Sequence, residues 1–308
     1  MNKLITITLF TIVSITWGIT FIAMKVAIDT IPPFFATSMR FLLTSPLLIV
    51  ISYFTNTPLL FPSGQKMFQL FICIFYFSIP FSLMLYGGKY VNSTVSSIIF
   101  SITPVVILLL TVIFFKKKIY LLQSIGFILT ILILSMILYQ EIKVGHSYSI
   151  LGICILMFSM VSHSIIYLYA TKNYKNISIL TFNTLPSVFS GLLLLLISML
   201  IEHPIIYNFS SNSICAIIFL SYVSGVFGIL AYFYLQKRVS AVYASIVFFI
   251  FPLITLFLNY YVYGYNIQNF QFYYVIYLMF SILLTLIPIR YIKIKKIITS
   301  IYNKSYRS

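Results

Sequence analysis

Acidic residues are almost missing from this chain: Asp29, Glu141 and Glu202 are the only three in 308 residues. Acyl, prenyl or phosphoryl transfer needs a carboxylate pair, a metal cluster or a histidine–carboxylate arrangement, and three acids this far apart supply none of them. Charge of either sign is scarce. Charged residues make up 7% of the positions, against about 25% in an ordinary soluble chain, so no water-facing surface can be assembled from them. Cysteine is equally sparse. Cys73, Cys154 and Cys215 each fall inside an apolar run, which argues against a disulfide framework and shows no metal-ligand spacing. They read as small buried apolar residues, and no cofactor is expected.

What is present is hydrocarbon. Apolar side chains fill 61% of the sequence, in about ten runs of roughly 20 residues, each long enough to cross a hydrocarbon core of about 30 Å. The runs are Leu4–Met24, Pro33–Tyr53, Phe68–Tyr86, Val91–Phe115, Tyr120–Tyr139, Ile150–Ala170, Ser178–Ile201, Ser213–Leu235, Ser240–Tyr263 and Phe270–Arg290. They are continuous and do not alternate, so a strand barrel is excluded and an all-α integral membrane fold follows. The first run exceeds the apolar core of a signal peptide and no small-x-small cleavage pattern precedes Lys25, so it is expected to stay as the first helix. The 25 Tyr and 30 Phe fit interfacial belts and a coding bias seen also in Ile, Lys and Asn.

The chain is an internal duplication. YGGKYVNSTVSSIIFSITPVV at 86–106 returns as YLQKRVSAVYASIVFFIFPLI at 234–254 without a gap. Tyr86/Tyr234, Lys89/Lys237, Val91/Val239, Ser97/Ser245, Ile98/Ile246, Phe100/Phe248 and Pro104/Pro252 coincide, and the same offset pairs Gln123 with Gln271. Five helices per half is an odd number, so the second copy enters the membrane from the opposite side. Two inverted five-helix repeats result, 1–140 and 150–290, joined by QEIKVGHSYS and followed by a basic tail at 291–308. Such repeats place a candidate site near the midplane, where the halves face each other, which suits a transporter.

Lys and Arg set the orientation. With a cytoplasmic N-terminus, the inner side receives all of the 19 basic residues except Lys25, Arg40, Lys89 and Lys143, while the three acids fall outside. Both termini are therefore expected inside the cell (inner) membrane. The net charge of +16 reports this topology and contact with anionic lipid at the cytoplasmic face. The basic residues are spread through short loops instead of forming one patch, which argues against nucleic acid. A homodimer stays open.

SITWGITFIAMKVAI at 14–28, followed by IPPFFATSMRFLLTSPLLI at 31–49, resembles the drug/metabolite transporter superfamily, specifically its EamA-type members with ten helices. Trp17, Gly18, Phe21, Pro32, Pro33 and Arg40 match the opening pattern of that family, as do Pro104, LLQSIGFILTILIL at 121–134 and Pro252. The resemblance covers nearly the whole chain. It implies two inverted repeats, a central cavity and movement of small metabolites, often outward. Many members carry a Gly-Glu pair after the proline of the fourth and ninth helices; this chain has Lys117 and Gly264-Tyr265 there. In the sixth helix, His163 stands about where Trp17 stands in the first.

Charges at membrane depth mark candidate sites: Lys25, Arg40, Lys89 and His163. Trp17, Phe21 and Lys25 follow at steps of four and share a helix side. Lys25 has an alternative, snorkelling to pair with Asp29; Arg40 has one in capping helix ends; Lys89 reads as a loop charge. The hydroxyl-rich fourth helix, with Ser97 and Ser101, either lines a hydrated path or holds helices together. Tyr234, the mate of Tyr86, completes the candidate substrate-binding set. Pro104 and Pro252 are expected to bend their helices.

The expected function is a secondary transporter, an exporter working by alternating access, for an amino-acid-like, zwitterionic or anionic solute or a drug. No buried carboxylate is expected to relay protons, so transport is either uncoupled or coupled through His163. A membrane receptor or interaction protein and an integral membrane transferase are the alternatives. The sequence shows no filter-like loop of a channel.

Overall fold

Backbone groups in hydrocarbon find partners only within their own segment, and every described apolar run is helical. The computed structural model describes residues 3–116, 118–144, 149–174, 176–239, 244, 246–263 and 269–286. The basic tail at 291–308, Lys117, Lys175, Ser240, Ser245, Gly264, Tyr265 and Arg290 lie outside the described residues, as do the Gln271 side chain and part of the join.

Ten apolar helices occur among the described residues. Eight are long and apolar enough to cross a membrane: α1 Lys3–Ala27, α2 Pro33–Phe54, α3 Lys66–Gly88, α4 Ser93–Phe115, α5 Leu121–Val144, α6 Ser149–Asn173, α7 Ile179–Ile201 and α8 Ser211–Arg238. Two shorter ones complete the second half, α9 Val247–Tyr263 and α10 Asn269–Leu286. Their starts follow capping chemistry. Asn92 Oδ1 accepts from Val95 N at 2.8 Å, Ser178 Oγ from Thr181 N at 3.0 Å and Ser210 Oγ from Ser213 N at 3.1 Å, each satisfying a first-turn donor that has no intrahelical partner.

The surface is inverted relative to a soluble protein. Leu196, Leu200 and Phe280 are more than half exposed, whereas Ser159, Ser164, Thr184 and Ser190 are fully buried. Apolar side chains gain nothing by hiding from lipid, so small hydroxyl residues take the interhelical seams.

The two repeats interlock. α1 leaves its own half to pack on α8 and α9, and α6 packs reciprocally on α3 and α4. The mates α2 and α7 run against each other, as do α5 and α10. Gly18 explains the α1–α9 contact: a Cβ there would meet Ile254 Cγ2 at 2.6 Å, and Thr255 Oγ1 donates to the Gly18 carbonyl at 2.8 Å. Gly191 does the same for α2–α7, where its carbonyl accepts from Ser38 Oγ at 2.8 Å and a Cβ would strike Leu42.

One feature of the backbone is repeated but was not visible in the amino-acid pattern. α3 widens to a π-helix over Cys73–Ser78 and α8 over Phe219–Gly228, and the repeat offset places Cys73 on Ser221. The Cys73 carbonyl accepts from Ser78 Oγ and from Ser190 Oγ of α7, both at 2.7 Å. The Ser221 carbonyl accepts from Thr44 Oγ1 of α2 at 3.0 Å. A hydroxyl of the facing helix thus satisfies a carbonyl in each widened segment. α4 breaks at Ile102, and Pro104 opens its second segment, Thr103–Phe115. Pro252 lies within the continuous α9.

Candidate functional site

Between the halves lies a cavity of about 860 Å³, within the usual range of about 300–1,000 Å³ for small-molecule sites. Its wall takes the second half of α4 (Phe100 to Thr111), the second half of α6 (Ser159 to Thr171), the first residues of α7 and the second half of α8 (Ser224 to Gln236). It therefore runs from the middle of the bundle to the face where α4, α6 and α8 end and α7 begins. The rim of that face holds Lys172, whose Nζ lies 3.3 Å from the Phe115 ring centroid, and Arg238, which donates to Tyr234 Oη at 2.7 Å.

The opposite face is closed by polar links between the halves. Glu202, at the end of α7, accepts from the backbone N–H of Phe34 at 3.0 Å and Phe35 at 2.9 Å, and from Ser198 Oγ at 2.7 Å. Its charge thus sits on the positive end of the α2 dipole. Ser213 Oγ donates to the Val26 carbonyl at 2.7 Å and Thr30 Oγ1 donates to Ser213 Oγ at 2.9 Å. Asn259 of α9 accepts from Ser93 Oγ at 2.7 Å and donates to Thr94 Oγ1 at 2.6 Å.

Among the described residues of the wall, Arg40 is the charged side chain. It is 6% exposed, lies on the cavity, and its Nη1 is buried with no hydrogen-bond partner among the described residues. Its guanidinium carbon sits 5.2 Å from the Phe81 ring centroid. A buried guanidinium without an anion is costly, by several kcal/mol in an apolar setting on the general scale; the cation–π contact returns about 0.5–2 kcal/mol.

His163 flanks the same ring. It meets Phe81 edge-on at 5.7 Å and stacks on Tyr76 at 4.3 Å. Trp17 reaches the wall from α1, tilted on Tyr232 at 4.7 Å and edge-on to Phe248 at 5.6 Å. Phe21 stacks on Phe251 at 5.4 Å. The i, i+4 stripe of α1 has a counterpart on α6, where Ser159, His163, Tyr167 and Thr171 all line the cavity.

The structure brings Trp17, Phe21, Arg40, His163 and Pro104 to one cavity; Lys25, Ser97, Ser101, Tyr234 and Pro252 are not among its lining residues. Lys25 Nζ donates to the carbonyls of Gly88 at 3.0 Å, Lys89 at 3.2 Å and Val91 at 3.1 Å. It covers the end of α3, where a cation matches the helix dipole; helix-end capping, weighed for Arg40, falls to Lys25. Asp29, outside the spans, has its carboxyl pKa raised by partial desolvation, which the Lys25 charge opposes. Ser97 and Ser101 spend their hydroxyls within α4, on Thr94 O and Ile98 O, each at 2.7 Å. Tyr234 is half exposed on the rim.

Sequence reasoning missed the aromatic face of α3, made of Tyr76, Phe77 and Phe81, and the links made by Glu202 and Asn259. A buried Asn in an apolar run is the one signal that pointed to the latter.

A solved crystal structure matches the fold with a TM-score of 0.67 over 92% of this chain and 96% of that one, at 11% identity; a likeness that distant speaks to fold alone. In sequence, an uncharacterized transporter in the trpA 3' region of Buchnera aphidicola subsp. Schlechtendalia chinensis is 56% identical over 288 residues, 94% of this chain and 95% of that protein. Protein PagO of Salmonella typhimurium is 44% identical over 287 residues, 93% and 94% of the respective chains. The EamA-like transporter family model matches twice, over residues 4–139 and 150–287. The protein is thus a multi-pass membrane transporter built from two inverted five-helix repeats, and it belongs to the EamA-like transporter family.

Proposed function

We propose that this protein is a secondary carrier that exports small organic solutes bearing a carboxylate, amino-acid-like, zwitterionic or anionic, across the cell membrane by alternating access. One observation carries the reading: the Arg40 guanidinium is buried on the wall of a cavity that reaches one face, and its Nη1 has no hydrogen-bond partner among the described residues. A solute carboxylate would convert an isolated buried charge into a bidentate pair. Trp17, Phe21 and His163 are the wall against which the rest of the solute rests, and the break before Pro104 is a bend beside it.

The positive-inside bias makes the open face cytoplasmic, with both termini on that side, and the rim cations Lys172 and Arg238 would draw anions and anionic lipid toward it. This is an inward-facing state, loaded from the cytoplasm. Inverted repeats supply the outward-facing state by exchanging the conformations of the two halves. Asp29 and Glu202 stand away from the wall, so flux runs downhill or is coupled through His163.

The test is uptake and efflux of a mixed pool of small carboxylates by sealed vesicles holding the purified protein, with and without a pH gradient. Flux is expected, and Arg40→Gln should lower it at least about tenfold, since losing one partner of a buried charge pair costs several kcal/mol. Vesicles that pass no organic solute sink the carrier reading. Gradient-driven accumulation that survives His163→Ala removes the histidine-coupled version.

A further inference from the structure

We infer that the cavity selects monoanions, a single carboxylate attached to an aromatic or similarly flat apolar body, and discriminates against the zwitterionic amino acid of the same skeleton. This narrows the carrier reading above and rests on it.

The first ground is charge matching. Arg40 is the one charged residue among the described residues that line the cavity. The described acids stand elsewhere: Glu202 is engaged by Phe34 N, Phe35 N and Ser198, and Asp29 lies in the turn after α1. In a site poor in water, the stable combinations are those whose charges cancel. A monocarboxylate on Arg40 leaves no net charge. A dianion leaves one negative charge over, and a neutral solute leaves the guanidinium alone. A zwitterion pairs its carboxylate but strips water from an ammonium group that finds no carboxylate in the wall.

The second ground is that Thr20, Thr44 and Ser159 of the wall already spend their protons within the protein. Thr20 donates to the Thr16 carbonyl at 2.7 Å and lies 2.6 Å from Ser224 Oγ. Thr44 donates to the carbonyls of Arg40 and Ser221, and Ser159 to that of Pro80. What remains for an ammonium is neutral lone pairs. A cation–π cage is the rival device, but Trp17 and Tyr232 are turned onto each other at 4.7 Å.

The third ground is shape. On α3 the wall presents Tyr76, Phe77 and Phe81, while the equivalent positions on α8 are Ser224, Gly225 and Ile229. A flat body can lie on the aromatic side with its carboxylate at Arg40, because Ser224 and Gly225 of α8 are small, while Tyr232 and Phe233 of the same helix line the cavity further along. Offset stacking of this kind contributes about 0.5–1.5 kcal/mol beyond burial.

Trp17 is the single tryptophan of the chain and lies on the cavity wall, so its fluorescence reports occupancy. The experiment titrates the purified full-length protein with 3-phenylpropionate, L-phenylalanine, phenylsuccinate and 3-phenylpropanamide, which share an aryl skeleton and differ in charge. 3-Phenylpropionate should bind at least about tenfold more tightly than each of the others, a difference of about 1.4 kcal/mol. In Arg40→Gln its advantage over the amide should vanish. Equal or tighter binding of phenylalanine or phenylsuccinate by the wild-type protein overturns the inference without recourse to any variant. Vesicle flux separates the two levels: Arg40-dependent transport of phenylalanine in preference to 3-phenylpropionate discards the monoanion class and keeps the carrier, whereas no flux of any carboxylate discards both.

Discussion

α3 and α8 occupy equivalent places in the two repeats, share a π-helical segment and both line the cavity, yet at three equivalent positions their side chains differ in character. Tyr76, Phe77 and Phe81 stand where α8 has Ser224, Gly225 and Ile229. The backbone device is common to both halves and the side chains are not. Inverted repeats need equivalent backbones so that either half can adopt the conformation of the other. Recognition needs the reverse, since a ligand with one charged end and one flat body fits an asymmetric slot. On the carrier reading proposed above, the duplication kept the backbone device that would move and diverged in the wall that would bind.

Making α8 resemble α3 should have the largest effect. Even a Cβ at Gly225 would lie 2.8 Å from the Leu220 carbonyl of the same π-helical segment and 3.2 Å from Thr44 Oγ1. Gly225→Phe, which copies Phe77, should thus abolish flux and lower the thermal transition in detergent, because overpacking costs about 1–3 kcal/mol or more. A variant that melts and transports like the wild type removes the claim that α8 must be small.

The reverse exchange, Phe81→Ile, copies Ile229 and takes the ring from beneath Arg40. Its loss should weaken carboxylate binding about three- to tenfold, in line with a partly buried cation–π contact of about 0.5–2 kcal/mol, with little change in melting. Unchanged affinity in the Trp17 fluorescence titration means that Phe81 does not position Arg40. Tyr76→Ser copies Ser224 and uncovers His163; it should cut binding of an aryl carboxylate about twofold to tenfold, given about 0.5–1.5 kcal/mol for an aromatic pair, and leave acetate unaffected. Comparable losses for both solutes break the assignment of α3 as the aromatic wall.

The smallest effects belong to the hydroxyls that serve the π segments. Ser190→Ala should cost less than Thr44→Val, because the Cys73 carbonyl keeps Ser78 Oγ while Thr44 is the hydroxyl given to Ser221. Each bond is worth about 0.6 kcal/mol on the membrane scale, so the comparison requires melting curves of both variants and their double mutant. A larger loss in Ser190→Ala reverses the ordering of the two segments.

The helices, their number and the duplication were legible because each follows from local composition. A run of apolar residues must be helical in hydrocarbon, and an odd number of helices per repeat forces inversion whatever the side chains do. Arg40 and His163 were also reachable, since a charge or a titratable ring inside such a run is costly and draws notice, and Trp17 and Phe21 were reachable through their four-residue spacing on one helix side. The division of labour between Arg40 and Lys25 was not. Both are cations within apolar runs of the sequence, and only the fold puts Lys25 beneath three carbonyls and leaves Arg40 Nη1 without a hydrogen-bond partner among the described residues.

What the sequence by itself determined is thus the membrane-spanning helical architecture, its two-fold repetition and the short roster of polar residues available to a site. The tertiary structure decided which of them meet. In water, an amphipathic stripe marks the face that a helix turns inward. These helices are apolar on nearly every side, so no stripe announces that Ser190 lies against Cys73, that Glu202 caps α2, or that Tyr76 covers His163. Those pairings join residues far apart in sequence, through seams set by small side chains such as Gly18 and Gly191, and they exist only once the halves have interlocked.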